Sequence, residues 1–207
     1  MGQQEIFSED NAVMEFKEPF YRDREFKNIK YREKMLCDIE FYNCTFMLCD
    51  FSKSKFINCE FEKCSFISSD LSLIKPDGSK FVDVSFNKSK LIGVNWTLIK
   101  ALSAPSKFNF YGCKMDNSSF QGLNLQWIKF IECTAHDVDF YETDLSKSDF
   151  TSTDLLKSRF VNTNLNGSDL SKATNYSIDP SLNKLKKTIF SYPEVTTLLN
   201  YLDIVIK

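Results

Sequence analysis

The sequence predicts a solenoid of five-residue repeats wound around a narrow apolar core, with a distinct segment at each end. Three observations predict it. First, 20 of the 207 residues are Phe. Before residue 100, those at 16, 26, 41, 46, 51, 56, 61, 66, 81 and 86 share one phase of a five-residue period, and only Phe7 and Phe20 do not. After it, Phe110, Phe120, Phe130, Phe140, Phe150, Phe160 and Phe190 share a phase that excludes only Phe108. Second, large apolar residues fill the gaps in the same phase, among them Leu36, Leu71, Leu91, Trp96, Met115, Leu125, Leu145, Leu155, Leu165 and Leu170. Third, the position two places earlier is mostly small: Cys44, Cys49, Ser54, Cys59, Cys64 and Ser69, then Cys113, Ser118, Cys133, Thr143, Ser148, Thr153, Ser158, Thr163 and Ser168. A period of five fits neither a 3.6-residue helix nor a two-residue strand, and a fixed period marks a repeat architecture. The large and the small residue of each repeat point inward, and the other three positions face water.

Taken in order, residues 1–25 read as an N-terminal cap or imperfect coil, because Pro19 and Arg24, and then Lys34, fall on inward positions. The regular repeat spans 26–175. Its core stack is expected from Phe41, Phe46, Phe51, Phe56, Phe61 and Phe66 in the first stretch and Phe130, Phe140, Phe150 and Phe160 in the second. Breaks are expected near 72–80 and 97–109. The first carries a Pro76-Asp77-Gly78 turn signature and leaves the phase unchanged. The second carries Ala104-Pro105 and shifts the phase by one residue, so it contains a true loop. That loop is either an insertion tolerated on the outside of the solenoid or a partner contact.

Residues 176–207 leave the repeat. Ser191 and Glu194 have the spacing of a capping box, and Val195, Leu198, Leu199 and Leu202 follow at helical spacing, with 203–207 as a short closing strand. Such a segment either covers the open end of a rod or pairs with its own copy across a two-fold axis. In the second case Val195, Leu198, Leu199, Leu202, Ile204 and Ile206 form the dimer contact.

Composition excludes several classes. Twenty-six basic and 28 acidic residues give a net charge of −2, unlike a general nucleic-acid binder. No run of about 18 apolar residues occurs, so no transmembrane helix is expected. The first five residues lack the features of a signal peptide. Seven Cys, an odd number, point to free thiols in a reducing cytoplasm. Their spacings of five do not suit zinc, and six of the seven sit on the small inward position, where Cys acts as a small hydrophobe. His136, the only His, faces outward, away from any converging nucleophile. Neither a Walker A nor a dinucleotide fingerprint is present. No catalytic residue, cofactor or metal site is therefore expected, and the protein reads as non-enzymatic.

A small residue, a polar residue, Leu or Phe, and two variable residues, repeated over roughly 26–175, resemble the pentapeptide-repeat family. The resemblance implies an all-β fold, a right-handed quadrilateral β-helix with four pentapeptides per coil and residues twenty apart stacked on one face. With strands about 4.8 Å apart, about seven or eight coils make a rod roughly 35 Å long. The alternation of Phe110, Met115, Phe120, Leu125, Phe130, Ala135, Phe140, Leu145, Phe150, Leu155 and Phe160 supports a square section independently. It places Phe on one pair of opposite faces and a smaller residue on the other, which suits dense interdigitation.

Charge is unevenly distributed along such a rod. Glu132, Asp137, Asp139, Glu142, Asp144, Asp149 and Asp154 fall in one stretch against Lys147 alone. On twenty-residue coils Glu132, Asp149 and Asp169 share one face, and Glu40, Glu60 and Glu62 share another. The other acids are spread over the remaining faces. These eleven residues form the candidate acidic surface, with a solvated exterior as the plain alternative. Within the family, Gly93-Val94-Asn95-Trp96, His136-Asp137, Asn175-Tyr176, Ile178-Asp179 and Leu198-Leu199-Asn200-Tyr201-Leu202-Asp203-Ile204 resemble the albicidin-resistance branch. The microcin B17 immunity and plasmid quinolone-resistance branches are similar more loosely. This resemblance implies a homodimer that mimics DNA, binds bacterial DNA gyrase, with topoisomerase IV as the alternative type II enzyme, and protects it from a poison. It implies neither direct nucleic-acid binding nor a membrane. The rival expectation is a generic interaction scaffold with no gyrase role.

Overall fold

Every fifth residue turns the chain. Asp23, Asn28, Glu33, Asp38 and Asn43 hold φ between 52° and 58°, and the same left-handed corner recurs through the repeat. Asn and Asp tolerate that conformation better than other side chains do, which is one reason they are common two places after the central residue. The computed structural model describes residues 6–8, 15–100, 108–202 and 204. It is a right-handed quadrilateral β-helix of about eight turns with little helix. Corner amides bond to the next coil, as in Asn28 N–H to Met47 O at 3.0 Å.

Four faces result. Face 1 is a seven-stranded parallel sheet that begins Ile6–Ser8, Glu25–Lys27, Thr45–Met47, Ser65–Ile67 and ends Phe130–Ile131. Face 2 is a ladder of single bridges through Lys30, Asp50, Asp70, Lys90, Lys114, Thr134, Asp154 and Thr174. Face 3 starts with Met35–Cys37 and Lys55–Ile57 and later runs through Asn95, Ser119, Asp139 and Arg159. Face 4 pairs Phe20–Arg22, Glu40–Tyr42, Glu60–Glu62 and Lys80–Val82, then Asn124, Asp144, Asn164 and Lys184.

The core follows the sequence period. On face 1, Phe26, Phe46, Phe66, Phe86, Phe110, Phe130 and Phe150 stack with ring centroids 4.7–5.2 Å apart and planes within 14°. Phe120, Phe140 and Phe160 stack on the opposite face 3. All ten residues of the expected core stack are buried. Inward Ser and Thr hydroxyls donate to a carbonyl 23 residues earlier, such as Thr163 Oγ1 to Phe140 O at 2.8 Å and Ser118 Oγ to Leu91 O at 2.8 Å where four extra residues lengthen the gap to 27. A buried hydroxyl is thereby satisfied. The six inward Cys are buried and free, and Cys37 is exposed. Burial pushes the Cys49 and Cys59 thiols up to about 11, so both stay protonated.

Several expectations need correction. Regular pairing begins before residue 26: Phe20–Arg22 already pairs with Glu40–Tyr42, and Phe16 plugs the open end against Tyr21, Phe26, Tyr31 and Phe41. Phe7, out of phase in the sequence, pairs with Phe26 at a spacing of 19. No break occurs at 72–80. Pro76 is buried at a central position, Gly78 takes the left-handed corner, and Lys55 and Glu60 pair with Lys75 and Lys80. A Cβ at Gly78 would lie 2.7 Å from Asn58 Oδ1, which would have to swing aside, and glycine takes the left-handed corner without strain.

The second break is real. Lys90 pairs with Lys114 and Asn95 with Ser119, so this coil holds four extra residues. Most of the expected loop, 101–107, lies outside the described residues. Phe108, out of the central phase, stands opposite Val84 at the inward position two before Phe110 and is buried against Trp96 and Phe81.

Nor does the repeat end at 175. It slips by two residues, Phe160 pairing with Ile178, then recovers, with Asn164 opposite Lys184 and Leu170 opposite Phe190. The terminal helix, Glu194–Tyr201, is a 3-10 helix with Pro193 at its N-cap and no side-chain capping bond. Ser191 does not cap it through its side chain, because Ser191 Oγ instead accepts the Lys172 N–H at 2.9 Å. Of the expected closing strand, only Ile204 is described.

Candidate partner-binding surface

In the first half the expected acids are largely spent within the protein. Glu40 and Glu60 are paired neighbours on face 4, and Glu60 Oε2 lies 2.6 Å from Lys80 Nζ. Glu62 lies 3.7 Å from Lys63 Nζ, while Lys53–Glu33 at 3.1 Å and Lys90–Asp70 at 3.7 Å balance other columns. Residues 15–100 carry 13 acids and 15 bases, so this half offers no negative field.

The second half differs in kind. Its acids occupy two sorts of position. Asp139, Asp144, Asp149, Asp154 and Asp169 precede a central residue and are half-buried. Each lets one oxygen accept the backbone N–H two residues on, as in Asp149 Oδ1 from Thr151 at 2.9 Å and Asp169 Oδ1 from Ser171 at 2.8 Å. Such side-chain-to-backbone bonds are the mechanical reason for Asp here. Glu132, Asp137 and Glu142 sit on the left-handed corners and are exposed.

The structure brings Asp149 and Asp169 together as paired residues on face 1, with Glu132 at a corner of that face. Asp137 and Asp154 lie on face 2, Asp139 and Glu142 on face 3, and Asp144 on face 4. Among the described residues, Glu132, Asp137, Glu142, Asp144, Asp149 and Asp169 join no ion pair. Asp139 lies 3.5 Å from Arg159, and Asp154 lies 2.8 Å from His136 Nε2.

Two carboxyls are held below the ordinary carboxylate range. Burial alone would push Asp154 up, but hydrogen bonds from Asn175 and His136 outweigh it. At Asp144 burial is likewise outweighed, by Ser146, Gln126 and Asn164. No group of three His, Cys, Asp or Glu among the described residues could hold a metal ion. No helix among them is long and apolar enough to cross a membrane.

The comparisons now bear on this rod. Family profiles match residues 102–170 as a pentapeptide repeat region and residues 44–73 as pentapeptide repeats. The chain is a pentapeptide-repeat protein. The structure of a trypsin-treated variant of QnrB1, a plasmid-mediated fluoroquinolone resistance protein, is similar at 15% identity, over 91% of this chain and 90% of that one, with a TM-score of 0.55. HetL, a pentapeptide-repeat protein involved in heterocyst differentiation regulation from the cyanobacterium Nostoc sp., is similar at 16% identity, over 84% and 88%, with a TM-score of 0.50. No curated protein sequence matches.

At its C-terminal end the pentapeptide-repeat protein exposes Leu182, Ile189, Tyr192, Tyr201, Leu202 and Ile204. Of the expected dimer residues, Leu198 packs against the core, Val195 and Leu199 are half-buried, and Leu202 and Ile204 face water. Ile206 lies outside the described residues. The Tyr176 hydroxyl is buried, with no hydrogen-bond partner among the described residues. Burial, and then the Glu194 charge, push it up to about 12.

Sequence reading missed Trp127, which is 61% exposed on a corner between faces 4 and 1. Its place in the period, two after the central Leu125, was the available signal. Missed too was the His136–Asp154 pair, because a separation of eighteen rather than twenty conceals that they lie on neighbouring coils of face 2.

Proposed function

We propose that this pentapeptide-repeat protein is a non-enzymatic, cytoplasmic DNA mimic that binds bacterial DNA gyrase and protects it from a topoisomerase poison. The observation that carries the reading is the density of carboxylates on the second half. Eight acids stand against three bases between residues 132 and 169, within two coils, or about 10 Å of rod. Duplex DNA carries about one charge per 3.4 Å on each strand, so the rod offers a comparable, rigid negative potential. A DNA-binding saddle lined by Lys and Arg would accept it by electrostatic steering.

Asp149 and Asp169 brace their own turns through Oδ1 and keep Oδ2 available, so at these two residues folding and mimicry use different atoms of one carboxylate. The reading also draws on the sequence resemblance and on the fold shared with QnrB1. The exposed C-terminal apolar residues suit a homodimer. Moderate affinity is part of the mechanism, because a tight mimic would itself block supercoiling.

The test is gyrase supercoiling with and without a poison such as albicidin or a quinolone. Restored supercoiling in the presence of the poison is expected. Absence of rescue at every concentration, with no binding to gyrase, sinks the proposal. Asp149→Asn with Asp169→Asn retains the Oδ1 acceptor that each turn uses, so thermal stability should stay unchanged while gyrase binding weakens.

A second reading, a protein-interaction scaffold with no gyrase role, is favoured by the turn bonds themselves, which explain the half-buried Asp residues without any partner. Salt separates the two. Affinity for gyrase through mimicry falls steeply as ionic strength rises, whereas a scaffold contact changes little.

A further inference from the structure

The strongest unexplained feature of the surface is Trp127. It stands at a left-handed corner with φ of 68°, a conformation that a bulky residue seldom adopts without strain. Gly112, Gly122 and Gly167 occupy equivalent corners nearby, with φ of 60° to 72°. A Trp here buries little in return. Among the described residues it is the most exposed large apolar side chain before the terminal coil, and its ring meets the Lys147 ammonium, 4.4 Å from the centroid. Elsewhere in the repeat, Leu48 and Leu73 are the comparable bulky corners, with φ of 56° and 59°.

Position gives Trp127 its meaning. The corner leads directly into face 1, where Lys129, two residues on, pairs with Asp149, and Asp149 with Asp169. Along this edge of the rod an exposed indole thus stands above a stack of two carboxylates. Below Lys147 the edge is bare at Gly167, which leaves the carboxylate stack accessible from the side. Interfaces concentrate their binding energy in Trp, Tyr and Arg anchors ringed by polar contacts, and charges beside such an anchor steer and orient the partner.

We propose that Trp127 is the apolar anchor of the gyrase contact, seated in an uncharged pocket bordering the basic saddle that receives Asp149 and Asp169. This rests on the gyrase reading above and names the edge of the rod that makes the contact. The anchor term is insensitive to salt and the carboxylate term is not, so the two residue types contribute separable parts of one affinity.

The experiment measures binding of the full-length protein to purified gyrase across a salt series, together with the Tm of each variant. Trp127→Gly and Trp127→Asn suit the left-handed corner, so their Tm should be no lower than that of the native protein. Their Kd should rise at least tenfold with an unchanged salt slope. The Asp149→Asn, Asp169→Asn double variant should flatten the slope, and Leu48→Gly, which relieves the same strain on another corner, should bind normally. Native binding with an unaltered Kd for both Trp127 variants overturns the anchor and leaves the gyrase reading standing. A lower Tm for both variants assigns Trp127 to folding and also overturns it. No binding by the native protein overturns both proposals together.

Discussion

The two halves of the rod share one backbone and fill it differently. Between Tyr21 and Phe86 the aromatic columns occupy adjacent faces: Tyr21, Phe41, Phe61 and Phe81 on face 4 beside the Phe26–Phe86 column on face 1. Phe41 meets Phe46 edge-on at 5.2 Å, and Phe51 and Phe56 complete a ring of aromatics around the middle coils. Beyond Phe110 the Phe columns occupy opposite faces, with Leu125, Leu145 and Leu165 between them on face 4. The small inward residue changes in step, from a mixture of Cys, Ser and Ile to mostly Ser and Thr. The exterior shifts as well: ion pairs are more frequent in the first half, and Asp-braced turns, present there at Asp50 and Asp70, become the rule in the second. Where hydroxyl and carboxylate bonds hold each coil to itself and its neighbour, surface charge is not needed for cohesion and can be presented to a partner.

The sharpest way to break this comparison is to empty each core. Phe46→Ala removes a ring stacked on Phe26 and Phe66 and edge-on to Phe41, Phe51 and Phe61, and should cost about 3–5 kcal/mol. Phe140→Ala removes one stacked on Phe120 and Phe160 and edge-on to Phe130 and Phe150 only, two edge contacts against three at Phe46, and should fall at the lower end of that range. Urea unfolding followed by circular dichroism measures both. A larger loss at Phe140 would mean that the third edge-on ring adds nothing at Phe46.

The five-residue period made the core legible, because every central side chain must enter a channel with no alternative direction. Breaks were harder to read. Pro76-Asp77-Gly78 looks like an interruption, yet Pro needs no N–H at a central position and Gly suits the corner. The last coil was invisible because Phe160 to Ile178 is short by two residues, enough to lose the phase although pairing resumes at Lys184. The twenty-residue coil assigns the candidate acids to faces but does not show which partners each one meets. It stacks Asp149 on Asp169, as the structure does, but gives no sign that Asp154 meets His136. Trp127 went unread because its corner is a polar position, where an apolar residue registers as noise.

The inward small residues offer a finer comparison. Thr163→Val keeps the shape and deletes the bond to Phe140 O, which should cost about 1 kcal/mol. Cys64→Ser places a hydroxyl where Sγ already lies 3.3 Å from Phe41 O. Since Ser69 makes the equivalent bond to Phe46 O at 3.1 Å, the change should cost clearly less. Chemical unfolding of the two variants side by side decides it, and equal losses would show that Cys and Ser are not interchangeable solutions to one position.

Acid should distinguish the halves last and least. Asp144 and Asp154 are held below the ordinary Asp value of about 3.9, Asp144 by Ser146, Gln126 and Asn164 and Asp154 by Asn175 and His136, in each case against the opposing effect of burial. A carboxyl lowered in the folded state contributes stability that is present above its unfolded value and lost as pH falls through its folded value. Both groups lie in the second half. Its counterpart in the first, Glu33, is lowered by Lys53 and then Arg32 but stands fully in water, where such a pair contributes little. As pH falls below about 3.9, amide protection should therefore weaken first in the coils from Phe120 to Phe160, while those from Phe26 to Phe86 hold. Hydrogen exchange at stepped pH reads this directly. Loss that begins in the first half would mean its ion pairs, not the Asp-braced turns, are the acid-sensitive element of the rod.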